Sequence, residues 1–285
     1  MSKIIAFVDA SEYGQSVCDH AAWLAGLNQT DIELLHVLGR REARGEARSN
    51  LSGMLSLGAR SGLLEELTEH DEAAARLAQK HGRAILEAAR SHIEGQSDRP
   101  VAERLRMGDL LDAVADVEAE ADVLVMGKRG EAADFARLHL GSNLERVARS
   151  AHKPLLVASR EFSPVETAII AFDNGENVNS AIDRLEDGTF LPGLKLHLVH
   201  VGPADSAAGK AMSAAADRLV VSGRGVTTGF ESGEPETVLA ERVERDGYDL
   251  LIMGAYGHSR IRNLFIGSTT TEMIRACRIP VLLWR

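Results

Sequence analysis

Apolar residues in this chain come in continuous runs of four to six, set between longer stretches whose apolar positions recur with helical spacing. Such runs suit strands buried on both faces, and the stretches between them suit the helices that cover a sheet. The pattern predicts strands near 3–8, 32–37, 101–106, 122–126 and 154–159, with helices near 13–27, 70–94, 109–120 and 142–151. It then starts again, with strands near 167–172, 194–201, 225–230, 249–253 and 280–284 and helices near 177–186, 206–221, 235–246 and 268–277. Regular alternation of strand and helix gives an open, mainly parallel sheet, so the expected class is α/β with five strands in each half.

The second half repeats the first in sequence as well as in pattern. KIIAFVD (3–9) returns as TAIIAFD (167–173), ELLHV (33–37) as HLVHV (197–201), and ADVLVMGKRG (121–130) as YDLLIMGAYG (248–257). HLGSNLERVARSAHKPLLVAS (139–159) returns as FIGSTTTEMIRACRIPVLLWR (265–285), completing a tandem duplication. The short polar connection Arg160-Glu161-Phe162-Ser163-Pro164 divides the chain into domains 1–160 and 165–285. Only the first copy carries an extra segment, Arg40 to Glu69, with Leu51, Met54, Leu55, Leu57, Leu63, Leu64 and Leu67 spaced by Ser and Gly. It reads either as a helical hairpin covering a sheet or partner, or as a lid over an apolar ligand.

The candidate chemistry follows the fourth strand of each half. In the second copy DLLIM runs into Gly254-Ala255-Tyr256-Gly257, and nine residues later Gly267-Ser268-Thr269 opens the last helix, a G-x2-G-x9-G-S spacing. Glycine permits positive φ and close backbone approach. The free amides of a helix start favour an anion, and Ser268 and Thr269 add hydroxyl donors. His258, Arg260 and Arg262 make the intervening loop cationic, so this is a candidate phosphate seat. The plainer alternative is tight turns and a capped helix, with Thr269 and Glu272 at capping-box spacing. The first copy keeps Gly127, Gly130, Gly141 and Ser142, but ten residues separate Gly130 from Gly141, and Glu131 and Asp134 enter the loop. There Ser142 and Glu145 have capping-box spacing, which would place a carboxylate where a phosphate should sit; the first pocket is therefore expected to be degenerate for triphosphate, with Lys128, Arg129 and Asn143 as remnants for another ligand.

The formal charge of −10 disfavours nucleic acid as a partner. Two cysteines, Cys18 and Cys277, both inside helical stretches, give neither a disulfide framework nor a zinc ribbon, and a reducing cytoplasm is the simplest compartment. No signal-peptide core and no membrane-length apolar run is present, so no membrane is expected.

These residues resemble the universal stress protein family in its tandem form. The resemblance covers nearly the whole chain and rests on AFVDAS and AFDNGE, LLHV and LVHV, VLVMGKRG and LIMGAYGHS, and the two Gly-Ser helix starts. It implies two similar Rossmann-like domains related by pseudo-two-fold symmetry, packed through their sheet edges like a dimer of single domains. It further implies an adenine nucleotide, ATP or AMP/ADP, in the second domain: Asp173 and Val201 on adenine and ribose, Met253 and Gly254 along the nucleoside, and Gly257, His258, Gly267, Ser268 and Thr269 on the phosphates. The matching first-domain positions are Asp9, Val37, Met126, Gly127, Gly130, Gly141 and Ser142. Asp9 and Asp173 also suit simple turn caps, and His36 and His200, inside apolar strands, suit satisfied core positions.

No Walker A sequence, G-x-S-x-G elbow or H-E-x-x-H pair occurs, so a dedicated catalytic site has no motif behind it. His70, His81 and His92 recur every eleven residues of a helical stretch, roughly 16 Å apart at about 1.5 Å per residue, too far to share a metal. Three functions remain: a cytoplasmic nucleotide-dependent sensor or adaptor with an unidentified protein partner; a slow ATPase with Mg2+ on the phosphates and water near His258; and a scaffold with empty pockets. A homodimer of whole chains is compatible with each.

Overall fold

The computed structural model describes residues 3–39, 57–130, 141–255 and 268–285, and the side chains of these apart from 57–67 and 268–269. The first half runs β1 (Lys3–Phe7), α1 (Gly14–Asn28), β2 (Asp31–Leu38), α2 (Leu57–Glu94), β3 (Val101–Met107), α3 (Leu110–Val117), β4 (Ala121–Gly127), α4 (Ser142–Ser150) and β5 (Leu155–Ala158). The second runs β6 (Thr167–Ala171), α5 (Glu176–Glu186), β7 (Lys195–Val201), α6 (Ala207–Val221), β8 (Val226–Glu231), α7 (Pro235–Asp246), β9 (Leu250–Gly254), α8 (Ser268–Ala276) and β10 (Val281–Trp284). Each element falls where the apolar pattern places it. Two details differ: the expected helix 109–120 ends as α3 at Val117 and closes in a 3-10 turn, Glu118–Glu120, and α2 begins thirteen residues earlier than expected. Of the extra segment, 57–69 is thus the opening of one long helix, while 40–56 lies outside the described residues.

All ten strands join in a single sheet, in the order β3-β2-β1-β4-β5-β10-β9-β6-β7-β8. Within each half every pairing is parallel. The one antiparallel pairing joins the halves, with Val157 opposite Val281, Leu156 opposite Leu282 and Leu155 opposite Leu283. The order reads the same from either end when one half is superposed on the other, which is the pseudo-two-fold arrangement. Because β5 and β10 run in opposite directions, the carboxyl ends of the two sets of strands lie at opposite ends of the sheet.

Alternate residues of each strand feed two cores. Ile4 and Ala6 face the layer formed by α1, α2, α5 and α6, where Val17, Leu86, Ile182 and Met212 pack; Ile5 and Phe7 face α3, α4, α7 and α8, where Val114, Val147, Leu239 and Met273 pack. Both layers run uninterrupted from one half to the other. Caps fix the helix ends locally: Asp109 accepts the Leu111 amide at 2.8 Å ahead of α3, Ser206 accepts the Gly209 amide at 3.0 Å ahead of α6, and Gly247 ends α7 at φ 68°.

Leu282 sits on the central antiparallel strand and is 1% exposed. Replacing it with alanine is expected to cost about 2–5 kcal/mol, and calorimetry of that variant should show one endotherm moving down as a whole. An unmoved second endotherm would mean that the halves unfold separately.

Candidate functional site

At the carboxyl ends of β1, β2 and β4 lies a cleft of about 940 Å³. This is where an open α/β sheet presents its loops and helix starts to a ligand. Asp9, Val37, Met126, Gly127, Gly130 and Ser142 all line it, together with Tyr13, Arg129, Asn143 and Arg146. Residues more than a hundred positions apart in sequence thus share one wall. Gly141 stands just behind, its amide donating to the Lys128 carbonyl at 3.2 Å. Asp9 does double duty: Oδ1 accepts the Ser11 amide at 3.1 Å, a turn-capping bond, while the side chain still faces the cleft. Two glycines are required by close approach. A Cβ on Gly130 would lie 2.9 Å from Asp9 Oδ2, and one on Gly127 would lie 2.6 Å from the Tyr13 Cβ.

The entry to α4 differs from expectation. Gly141 is the N-cap, no side chain caps the helix, and Ser142 is already the first helical residue. Glu145 is therefore one position too late for a capping box; its amide donates to the Gly141 carbonyl at 3.1 Å, and its side chain is not part of the cleft wall. The other features expected to make this pocket degenerate, the ten-residue spacing with Glu131 and Asp134, fall in 131–140, outside the described residues. The α4 start, with Ser142 and Asn143, lies on the cleft wall. Arg146 is steadied on the rim by Asp109, at 2.9 and 3.0 Å.

Lys128 also departs from expectation. It is 9% exposed, is absent from the cleft wall, and turns its Nζ into the molecule to donate to the Cys277 carbonyl at the end of α8. Burial pushes its ammonium down to about 8. Arg129 and Asn143 are on the wall. The strand histidines are satisfied by the backbone in matching ways: His36 Nδ1 donates to the Val8 carbonyl at 2.7 Å, and His200 Nδ1 to the Phe172 carbonyl at 3.0 Å. His92 pairs with Asp19 at 2.6 Å, and among the described residues no group of three or more His, Cys, Asp or Glu is placed to hold a metal ion.

In the second half, Asp173, Val201, Met253 and Gly254 occupy the corresponding ends of β6, β7 and β9. Asp173 Oδ1 accepts the Gly175 amide at 2.8 Å, the same local turn as at Asp9. Where the first half has Tyr13 the second has Asn177, whose Nδ2 donates to the Ala255 carbonyl at 2.7 Å. Ser268 and Thr269 are the first residues of α8, with their side chains outside the described set; Gly257, His258 and Gly267 lie outside the described residues altogether. Sequence reasoning passed over Tyr13, Asp109 and Arg146. Tyr13 was visible as the repeat partner of Asn177, and Asp109 as an Asp just before an apolar helix.

The model of the universal stress protein family matches residues 1–159 and 203–285. A universal stress protein of Synechocystis sp. is 34% identical over 287 residues, covering the whole of both chains. The fold resembles the crystal structure of a universal stress protein from Archaeoglobus fulgidus, with TM-score 0.64, 20% identity, and 99% of this chain and 97% of that one covered. It also resembles a putative universal stress protein from Pseudomonas aeruginosa, with TM-score 0.60, 16% identity, and 99% and 92% covered.

Lys128 gives a signed pH dependence. Its folded value of about 8 lies below the ordinary 10.5, so burying the charge costs stability below pH 8, and the cost fades as pH rises towards 10.5. The wild-type chain should therefore gain on Lys128→Met over that range, by about 3 kcal/mol at most, in denaturant titrations at several pH values. Parallel stability curves would contradict this.

Proposed function

The chain belongs to the universal stress protein family, and from that premise we propose that it binds adenine nucleotide, ATP or a close relative, and acts as a nucleotide-dependent sensor or adaptor. The second domain carries the G-x2-G-x9-G-S spacing that resembles the nucleotide-binding branch of the family. In this reading Asp173 and Val201 hold adenine and ribose, Met253 and Gly254 line the nucleoside, and Gly257, His258, Gly267, Ser268 and Thr269 meet the phosphates. Magnesium, where it takes part, arrives on the phosphates.

The observation that carries the proposal is the first-domain cleft. There the same constellation, a strand-end aspartate, a G-x2-G turn and a Gly-Ser helix start, surrounds a space of about 940 Å³ with an uncapped helix start at one end. A cleft of that size holds a nucleotide. With Glu145 off its wall, we read the first cleft as a second nucleotide seat. Arg129 and Arg146 place guanidinium donors on its wall, Arg146 held there by Asp109.

Equilibrium dialysis of labelled ATP with magnesium tests this. Two nucleotides per wild-type chain are expected, one for Gly267→Val, one for Gly130→Val, whose new side chain would collide with Asp9, and none for the double variant. One per wild-type chain, lost in Gly267→Val, would restrict the function to the second domain. No binding to the wild-type chain would overturn the proposal.

A further inference from the structure

The ten-stranded sheet ends in two outer edges, β3 and β8. An edge strand turns a row of backbone N–H and C=O groups away from the sheet, a template for another strand unless charge or cover protects it. In β8 the direction of each group follows from its pairing with β7. The Gly225 carbonyl, just ahead of β8, accepts the Leu196 amide at 2.8 Å, the Glu231 carbonyl accepts the Gly202 amide at 2.8 Å, and Leu196 stands opposite Val226. Odd-numbered residues therefore face β7, and Val226, Thr228 and Phe230 direct their backbone groups outwards. None of these three is charged or a proline. On β3 the same alternation, set by the Ile32 amide on the Pro100 carbonyl and the Gly108 amide on the Leu38 carbonyl, turns Glu103 outwards. That edge thus carries a carboxylate in its middle, 3.7 Å from Arg90, and β8 carries none.

Apolar side chains stand exposed along the β8 edge as well. Val226, Thr228 and Phe230 share the α6 face of the sheet, where Val226 packs against the core and Phe230 meets His200 edge to face at 6.5 Å. Phe230 is nevertheless 39% exposed. α6 closes with Val220 and Val221, 54% and 89% exposed, at the turn that leads into the amino end of β8. Within one chain these valines and Phe230 stand at opposite ends of the strand.

The order of residues on this edge fits a second copy of the same strand. With two copies of β8 antiparallel and Thr228 opposite Thr228, Val226 of each stands opposite Phe230 of the other, and all three pairs are of the kind that exchanges both backbone hydrogen bonds. Threonine with threonine, and an aromatic with a β-branched residue, are favoured cross-strand pairs. The same two-fold carries Phe230 of one copy to the end of β8 where Val220 and Val221 of the other are exposed. The chain already uses this joint once, since β5 and β10, equivalent strands of the repeat, pair antiparallel by their edges. We propose that the chain forms a two-fold homodimer by antiparallel pairing of β8 with β8 of a second copy, with Thr228 at the axis. The first cleft, built on β1, β2 and β4, lies away from this edge, and the dimer does not depend on nucleotide.

Sedimentation equilibrium of the full chain without ligand tests it. A reversible monomer–dimer equilibrium is expected for the wild-type chain. Because Thr228 faces its own copy, Thr228→Lys and Thr228→Glu each set like charges opposite one another and should weaken the dimer about fivefold or more. Mixing the two variants sets opposite charges together and should restore it. Val221→Asp, at a site exposed in the single chain, should also weaken the dimer and keeps the test open if a Thr228 variant does not fold. A wild-type chain that stays monomeric at every concentration would overturn the pairing. So would a dimer indifferent to the Thr228 and Val221 variants, a dimer weakened by both charges but not restored by mixing, or growth into ever longer assemblies, which would join β8 to β3 instead.

Discussion

The antiparallel pairing of β5 with β10 is the constraint on which the rest depends. A five-stranded parallel sheet has two open edges, each a row of unpaired backbone donors and acceptors. Here one edge from each half is closed by the repeat of itself, with Leu155, Leu156 and Val157 hydrogen-bonded opposite Leu283, Leu282 and Val281. The two helical layers then close over the seam, so the cores of both halves are continuous. What began as a duplication in sequence becomes one sheet of ten strands.

The same pairing decides where chemistry can occur. It sends the carboxyl ends of the two strand sets to opposite ends of the sheet, and the first half's cleft opens at one of them. It also brings the far end of each cleft helix to the partner half, where Lys128 and Arg285 meet it. A buried lysine is costly, and the burial that pushes the Lys128 ammonium down to about 8 is the sign of that cost. The Cys277 carbonyl, one of the orphan acceptors of a helix end, is the return.

Most of the fold was legible because both of its periodicities are strong. Continuous apolar runs mark β1, β4, β6 and β9, and the repeated Asp9 and Asp173, Val37 and Val201, and Gly127 and Gly254 mark the loops that converge at strand ends. His36 and His200 were legible as core residues from their apolar neighbours. Three features were not legible, each for a physical reason. The Ser142 and Glu145 spacing is the same whether Ser142 is the cap or the first helical residue, and the Gly141 amide bonded to the Lys128 carbonyl goes with the second choice. The destination of Lys128 lies 149 residues away in the other half, beyond any local pattern. The start of α2 was hidden because Ser and Gly interrupt the leucines before Glu69, which reads as a break although the helix runs through.

Amide hydrogen exchange with and without ATP and magnesium tests the central claim most directly, because it reports where on the chain a nucleotide acts. The account predicts new protection at Gly127–Gly130 and at the starts of α4 and α8. Protection confined to the outer edge around α2 and β3, or no change anywhere, would contradict it.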